Sequence, residues 1–207
     1  MFSRRSFLNS LGMVVIAGVM VIAANFSSPA AAEGPDGFIR VMGQEAIDSL
    51  TSKELSRSER QDRFRAILQR SFDIRVIARF TLGRYWRRAS KPQRKEYVQL
   101  FEDFIVQAYA ARFEGYSGGG FEVGRMRSIN DKERLVLTNI LLDDGRKIPV
   151  HWRVRGIENY RVIDVVVEGV SMAITQRDEF SSIINQHGGK VDGLLVALRK
   201  KTGKKTD

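Results

Sequence analysis

The chain has 207 residues, with 34 Lys or Arg against 24 Asp or Glu and a formal net charge of +10. That length suits one domain, and a chain this size buries enough surface to hold a core without disulfide or metal. There is no cysteine and the histidines are His151 and His187, which excludes disulfides, thiol nucleophiles, cysteine metal sites and a histidine-rich metal centre.

The first segment reads as an address. Arg4 and Arg5 form a positive head, Leu11 to Ala24 is an apolar run, and Ala30-Ala31-Ala32 offers the small residues a signal peptidase requires. Ser3 to Asn9 (SRRSFLN) resembles a twin-arginine export signal, with Asn9 where a lysine is usual. Residues 1–32 are therefore expected to be a cleaved export signal, residues 33–199 a single domain and residues 200–207 a flexible basic tail. The apolar run is shorter than the roughly 20 residues that a spanning helix needs. A surplus of positive charge points to phospholipid headgroups, acidic proteins or nucleic acid, and export argues against the last.

Asp36 to Leu50 places Phe38, Val41, Met42, Ala46 and Leu50 at helical spacing, with Asp36 as a cap. Ser58 to Gln69 reads as a charged helix with Phe64, Ile67 and Leu68 inward. Phe72 to Phe80 reads as a short apolar helix ended by Leu82-Gly83. Ser90 opens the longest helix, with Pro92 early and Gln93 at the third helical position. Tyr97, Phe101, Phe104, Ile105, Ala108 and Tyr109 share its inner face, and it stops near Gly115.

After the loop Ser117 to Gly120 the period changes to two. Phe121 to Met126 alternates, Arg134 to Leu142 is apolar on both faces, and Asp143-Asp144-Gly145 is a hairpin turn. Ile148, Val150, Trp152 and Val154 form one face of the next strand; Pro149, His151, Arg153 and Arg155 form the other. Tyr160 to Val167 is the fourth strand. Thr175 to Gln186 and the stripe Val191, Leu194, Leu195, Leu198 form the closing helices. Helices, a four-stranded antiparallel meander and then helices make an α+β fold, with helices packed on one side of a curled sheet.

Three stretches then carry a resemblance. They are Phe72-Asp73 with Ile77-Ala78, Leu82-Gly83, Trp86, Pro92 and Arg94; Phe101, Phe104 and Tyr109; and Asp164 to Ser171 (DVVVEGVS) followed by Arg177, Phe180, Gly188-Gly189 and Leu194-Leu195. In order and spacing the chain resembles the periplasmic phospholipid-binding proteins of the Mla pathway, also called the toluene-tolerance or ABC-transporter auxiliary family. The resemblance implies an NTF2-like curved sheet with helices closing one side over an apolar cavity. It implies a carrier that holds acyl chains inside, leaves the headgroup outside, and passes lipid between an outer-membrane lipoprotein complex and an inner-membrane MCE-domain ABC transporter. The turn Gly156 to Arg161 departs from the usual pattern, which leaves open a branch associated with hopanoids.

The candidate lining is Phe72, Ile77, Phe80, Leu82, Trp86, Tyr97, Phe101, Phe104, Tyr109, Trp152 and Val166, with Arg84, Arg87 and Arg88 at a positive rim. Each acyl CH₂ buried against such a lining is worth roughly 0.8 kcal/mol, and the guanidinium fork pairs with phosphate. The same residues also read as ordinary core and ordinary surface. Asp164, Glu168, Gly169 and Ser171 read as a structural motif, with Asp164 and Glu168 in a salt bridge or turn support near Ser171, Gly169 in a bulge or a close helix–sheet contact, and Ser171 capping a following turn. No cofactor is expected, since Gly118 to Gly120 lacks the Lys-Ser/Thr of a phosphate loop. An enzyme on this scaffold would have only Asp164, Glu168 and His151 to work with, and an adaptor with a solid interior is the remaining alternative.

Overall fold

The computed structural model describes residues 34–114, 116 and 120–204. The expected export signal lies outside the described residues, as do Gly118 and Gly119 of the glycine loop and the last three residues of the basic tail. The described elements are α1 (Gly34–Leu50), α2 (Arg57–Ser71), α3 (Ile74–Leu82), α4 (Tyr85–Arg88), α5 (Lys91–Ala110) and a 3₁₀ turn (Ala111–Phe113). After them come β1 (Gly120–Asn130), β2 (Glu133–Leu141), β3 (Lys147–Arg155), β4 (Arg161–Val167), β5 (Val170–Ser171), α6 (Met172–Gln186) and α7 (Val191–Thr202).

Side chains that satisfy the first free N–H groups set where the helices begin. Ser56 opens α2: its hydroxyl accepts from Glu59 N–H (3.2 Å), and the Glu59 carboxylate accepts from Ser56 N–H (2.9 Å). Ser90 and Gln93 form the same reciprocal pair at the start of α5. Asp73 caps α3 by accepting from Val76 N–H at 3.0 Å. Phe72 therefore lies outside the helix expected to begin with it, and forms a parallel bridge with Val162 of β4. At the chain's other end the basic stretch from residue 200 is helical as far as Thr202. Gln107 of α5 donates to the Thr202 carbonyl (3.0 Å), and Lys204 pairs with Asp103.

The sheet differs from expectation. It has five strands in the order β1-β2-β3-β4-β5, each antiparallel to its neighbour, and the outer strands β1 and β5 do not pair with each other. It is an open meander and not the curved, four-stranded NTF2-like sheet; the α+β class stands. The fifth strand arises from one turn. Glu168 (φ 50°) and Gly169 (φ 86°) are both left-handed, which is the backbone of a two-residue primed hairpin, and Val170 returns to pair with Val167. Two residues are too few to show an alternation in the sequence. Glycine adopts this conformation freely, but Glu168 bears a steric cost of about 1 kcal/mol. Glu168→Asn, creating the Asn-Gly preferred in such turns, is expected to stabilise the protein by about 0.5–1 kcal/mol. A thermal melt checks this; a melting temperature that falls would show that the Glu168 side chain has a stabilising role.

The apolar interior divides in two. Leu82, Tyr85, Tyr97, Leu100, Phe101, Phe180, Leu194 and Leu198 form a buried cluster among α3 to α7. Ile39, Met42, Leu50, Ile67, Val136, Val154 and Val162 form a second, between α1, α2 and the sheet. The expected apolar cavity enclosed by sheet and helices is likewise corrected. Two grooves of about 400 and 560 Å³ stand out among the described residues, and neither has a lining residue from the sheet.

The sheet face away from the second cluster carries a charged clamp. Glu133, almost wholly buried, accepts two hydrogen bonds from Arg153 (2.9 and 2.6 Å) and two from Arg155 (2.9 and 2.7 Å). Burial alone pushes the Glu133 carboxyl up, but the hydrogen bonds and charges of the two arginines outweigh it and hold the group below the usual carboxylate range. A lowered folded value means that the unfolded chain binds the proton more readily. The clamp's contribution is therefore full above the ordinary glutamate value of about 4.3 and is lost as pH falls through the lower folded value. Glu133→Gln is expected to cost roughly 1–3 kcal/mol at neutral pH. In urea unfolding, the gap between the variant and the parent should narrow below about pH 4; an equal gap at both pH values would refute the account.

Candidate functional site

The site grows from the alternation of β3. Directly paired residues share a sheet face, so Trp152 lies with its partners Val136 and Val165, and Val150 with Thr138 and Val167. On β1, Val123 pairs with Thr138 and Phe121 with Ile140, which puts both on this same face. Trp152 is mid-strand on a central strand, with neighbours on both sides. Its indole stands between Phe72 (ring centroids 6.4 Å, 70° between planes) and Phe121 (6.3 Å, 79°), both edge-on. The indole N–H donates to the Thr138 hydroxyl at 3.0 Å, and that hydroxyl donates to the Val150 carbonyl. The one polar atom of the ring is thus satisfied inside the sheet and its orientation is fixed.

Phe72, Phe121, Val123, Trp152 and Val165 remain half-buried although they surround the middle of a sheet face on which α1 and α2 pack. A fully closed helix–sheet contact would bury them. Phe121 in turn meets α1 at Gly43, where a β-carbon would stand 2.4 Å from its ring, so that approach requires glycine. The face is large, apolar and aromatic, with no titratable side chain among these five. What it offers chemically is contact area for hydrocarbon.

Of the predicted lining, Phe72 and Trp152 come together here. Leu82, Tyr97 and Phe101 lie wholly inside the helical cluster, where the Tyr97 hydroxyl shares a 2.7 Å hydrogen bond with Thr81. Burial pushes the Tyr97 phenol far up, the Thr81 bond only partly opposing it, so it stays protonated. Ile77, Trp86 and Phe104 are half-buried at the edge of that cluster. Phe80 is exposed, and Arg112 stands over the Tyr109 ring at 4.7 Å. Val166 pairs with His151 and Ser171, on the face opposite Trp152. The rim arginines belong with α4: Arg84 and Arg88 both stand over the Tyr85 ring (5.0 and 5.8 Å), and Arg87 is exposed beside them. They flank the helical cluster and not the Trp152 face.

The motif around Asp164 is a fastening. Its carboxylate accepts from the Ser171 hydroxyl (2.6 Å) and from Ala173 N–H (3.1 Å), while Ser171 accepts from Ile174 N–H (3.1 Å) and so caps α6. Glu168 stands exposed in the hairpin turn, and Asp164, which shares the sheet face of His151, has its carboxylate committed to Ser171 and Ala173. Among the described residues no three His, Asp or Glu side chains are grouped to hold a metal. Reading by residue type missed Phe121, Val123 and Val165. The first two were marked by the alternation of β1, and Val165 by its register opposite Trp152.

Residues 40–200 match the MlaC protein family, well over half of the chain. The chain belongs to the MlaC family. The toluene tolerance protein ttg2D of Pseudomonas putida is 23% identical over 110 residues, which are 53% of this chain and 51% of that protein. The match thus spans about half the length of that curated relative. A solved phospholipid-binding protein from Ralstonia solanacearum, in complex with a phospholipid, superimposes with a TM-score of 0.73. The superposition covers 81% of this chain and 96% of that one at 15% identity. At that identity the likeness is one of fold. The MlaC-family match contains every residue of the Trp152 face and the whole helical cluster.

Proposed function

We propose that this MlaC-family protein is a soluble, non-catalytic periplasmic lipid carrier whose ligand is a phospholipid. The observation that carries this reading is the half-buried aromatic face of Phe72, Trp152 and Phe121, which presents hydrocarbon where a closed core would be sealed. Acyl chains lie along that face, with Val123 and Val165 extending the contact. The residues packed inside the helical cluster, Leu82, Tyr97 and Phe101 among them, support the helices that border it. The headgroup stays in water at the edge of that face. The carrier delivers to and collects from an inner-membrane MCE-domain ABC transporter complex and an outer-membrane lipoprotein complex.

Native mass spectrometry of the exported protein, with extraction and identification of what it carries, tests this reading. A stoichiometric phospholipid is the expected result. A hopanoid would keep the carrier and change its cargo. A bare protein mass, with no uptake from liposomes, would sink the carrier and leave an adaptor.

A further inference from the structure

A second surface is left unexplained by lipid carriage. Between Asp73 and Glu96 the chain has no carboxylate, and the exposed side chains of α3, α4 and the turn between them are dominated by Arg75, Arg79, Arg84, Arg87 and Arg88. None of the five forms an ion pair among the described residues, whereas Arg65, Arg70, Arg153, Arg155 and Arg199 all do. Beside them runs the groove of about 400 Å³, lined by Phe80, Arg84, Ile174, Arg177, Asp178 and Ser181. Phe80 is 40% exposed and Ile174 53% exposed, although both are large and apolar.

The arginines of the groove are held against aromatic rings. Arg177 stands over the Phe80 ring at 5.3 Å, and Arg84 stands over the Tyr85 ring at 5.0 Å while donating to its hydroxyl (2.8 Å). The Tyr85 hydroxyl is itself tied to Asn185 of α6 at 2.6 Å, which fixes the platform under Arg84. A guanidinium carries five N–H donors, so one set against a ring in this way still has N–H groups to offer an anion, and phosphate fits its fork. Asp178 is the single acid in the lining, so the field of the groove stays positive.

We propose that the face formed by α3, α4 and the start of α6 docks on the surface of an anionic phospholipid bilayer. Phe80 and Ile174 enter the headgroup layer while Arg79, Arg84 and Arg177 pair with lipid phosphates. A bilayer offers phosphate directly above hydrocarbon, and this face sets guanidinium groups directly beside exposed apolar side chains. An acidic protein surface would match the charge but would not offer hydrocarbon beneath each anion. Docking uses a different surface from the Trp152 face and does not depend on what the protein carries.

The test is co-sedimentation of the exported protein with vesicles of phosphatidylethanolamine and phosphatidylglycerol, against vesicles of phosphatidylcholine alone. Binding is expected on the anionic vesicles and should be lost at about 0.5 M salt, where charges are screened within a few ångströms. Arg79→Glu with Arg84→Glu should lower the partition coefficient at least tenfold, and Phe80→Ser with Ile174→Ser severalfold. Thermal melts report whether each variant is folded, and Arg79→Gln with Arg84→Gln replaces a charge reversal that is not. No binding by the parent protein, equal binding to neutral vesicles, or variants that bind as the parent does would overturn the proposal. Normal vesicle binding by the charge-reversal variant, with weakened binding to a purified membrane protein complex, would assign the face to an acidic protein instead. Extraction of lipid from the same samples reads the carrier function separately, so either idea can fail alone.

Discussion

Trp152→Ala is expected to leave a folded protein that has lost most of its hold on lipid. The substitution removes the ring that stands between Phe72 and Phe121 and deprives the Thr138 hydroxyl of its donor. An indole lost from a site that is only half-buried lies at the low end of the usual range, about 3 kcal/mol of stability. If the missing ring withdraws contact from two or three methylenes of an acyl chain, affinity falls by about 2 kcal/mol, roughly thirtyfold. Trp152→Phe should recover most of the affinity, since an aromatic surface remains, but not the hydrogen bond to Thr138. Liposome uptake, measured on the folded fraction, decides the matter. Unchanged affinity in Trp152→Ala, alongside lowered stability, would make Trp152 ordinary core and move the acyl chains elsewhere.

Phe180→Ala is expected to act in the opposite proportion. Phe180 is the hub of the helical cluster: its ring meets Tyr97 and Phe101 edge-on, at 6.1 and 6.2 Å, and Phe104 at 6.0 Å. It is almost wholly buried, so truncation leaves a cavity that the rigid rings around it fill poorly. The cost is expected to be about 3–5 kcal/mol. For a chain of this length that corresponds to a fall in melting temperature of roughly 6–20 °C. Lipid affinity of the molecules that remain folded should change much less than in Trp152→Ala, because no sheet residue belongs to the helical cluster. An equal loss of affinity in both variants would show that the two clusters act as one binding unit. The pair therefore tests the division of the interior as well as the site.

Much of this architecture is written locally. Ser90, Pro92 and Gln93 mark the start of α5 because capping is a contest among neighbours in sequence, and the structure has the reciprocal pair there. The alternation through Ile148, Val150, Trp152 and Val154 places Trp152 on an apolar face because the period of a strand is two. Ser171 caps α6 for the same local reason, and the order of helices, strands and helices is that of the chain.

Tertiary structure decided what depends on partners far along the chain. The fifth strand exists because two left-handed residues fold Val170 back onto Val167, and one of them is a glutamate that local preference would not choose. Phe72 left its expected helix because Asp73 took the cap and Val162 offered a free strand edge. The closeness of α1 to the sheet rests on Gly43 meeting Phe121, two residues 78 positions apart with no shared pattern. Apolar type alone could not separate Tyr97 and Phe101, sealed among helices, from Trp152 and Phe72, left half-open on the sheet. Hydrophobicity selects which side chains leave water, and only the packing of distant elements determines whether protein or ligand covers them.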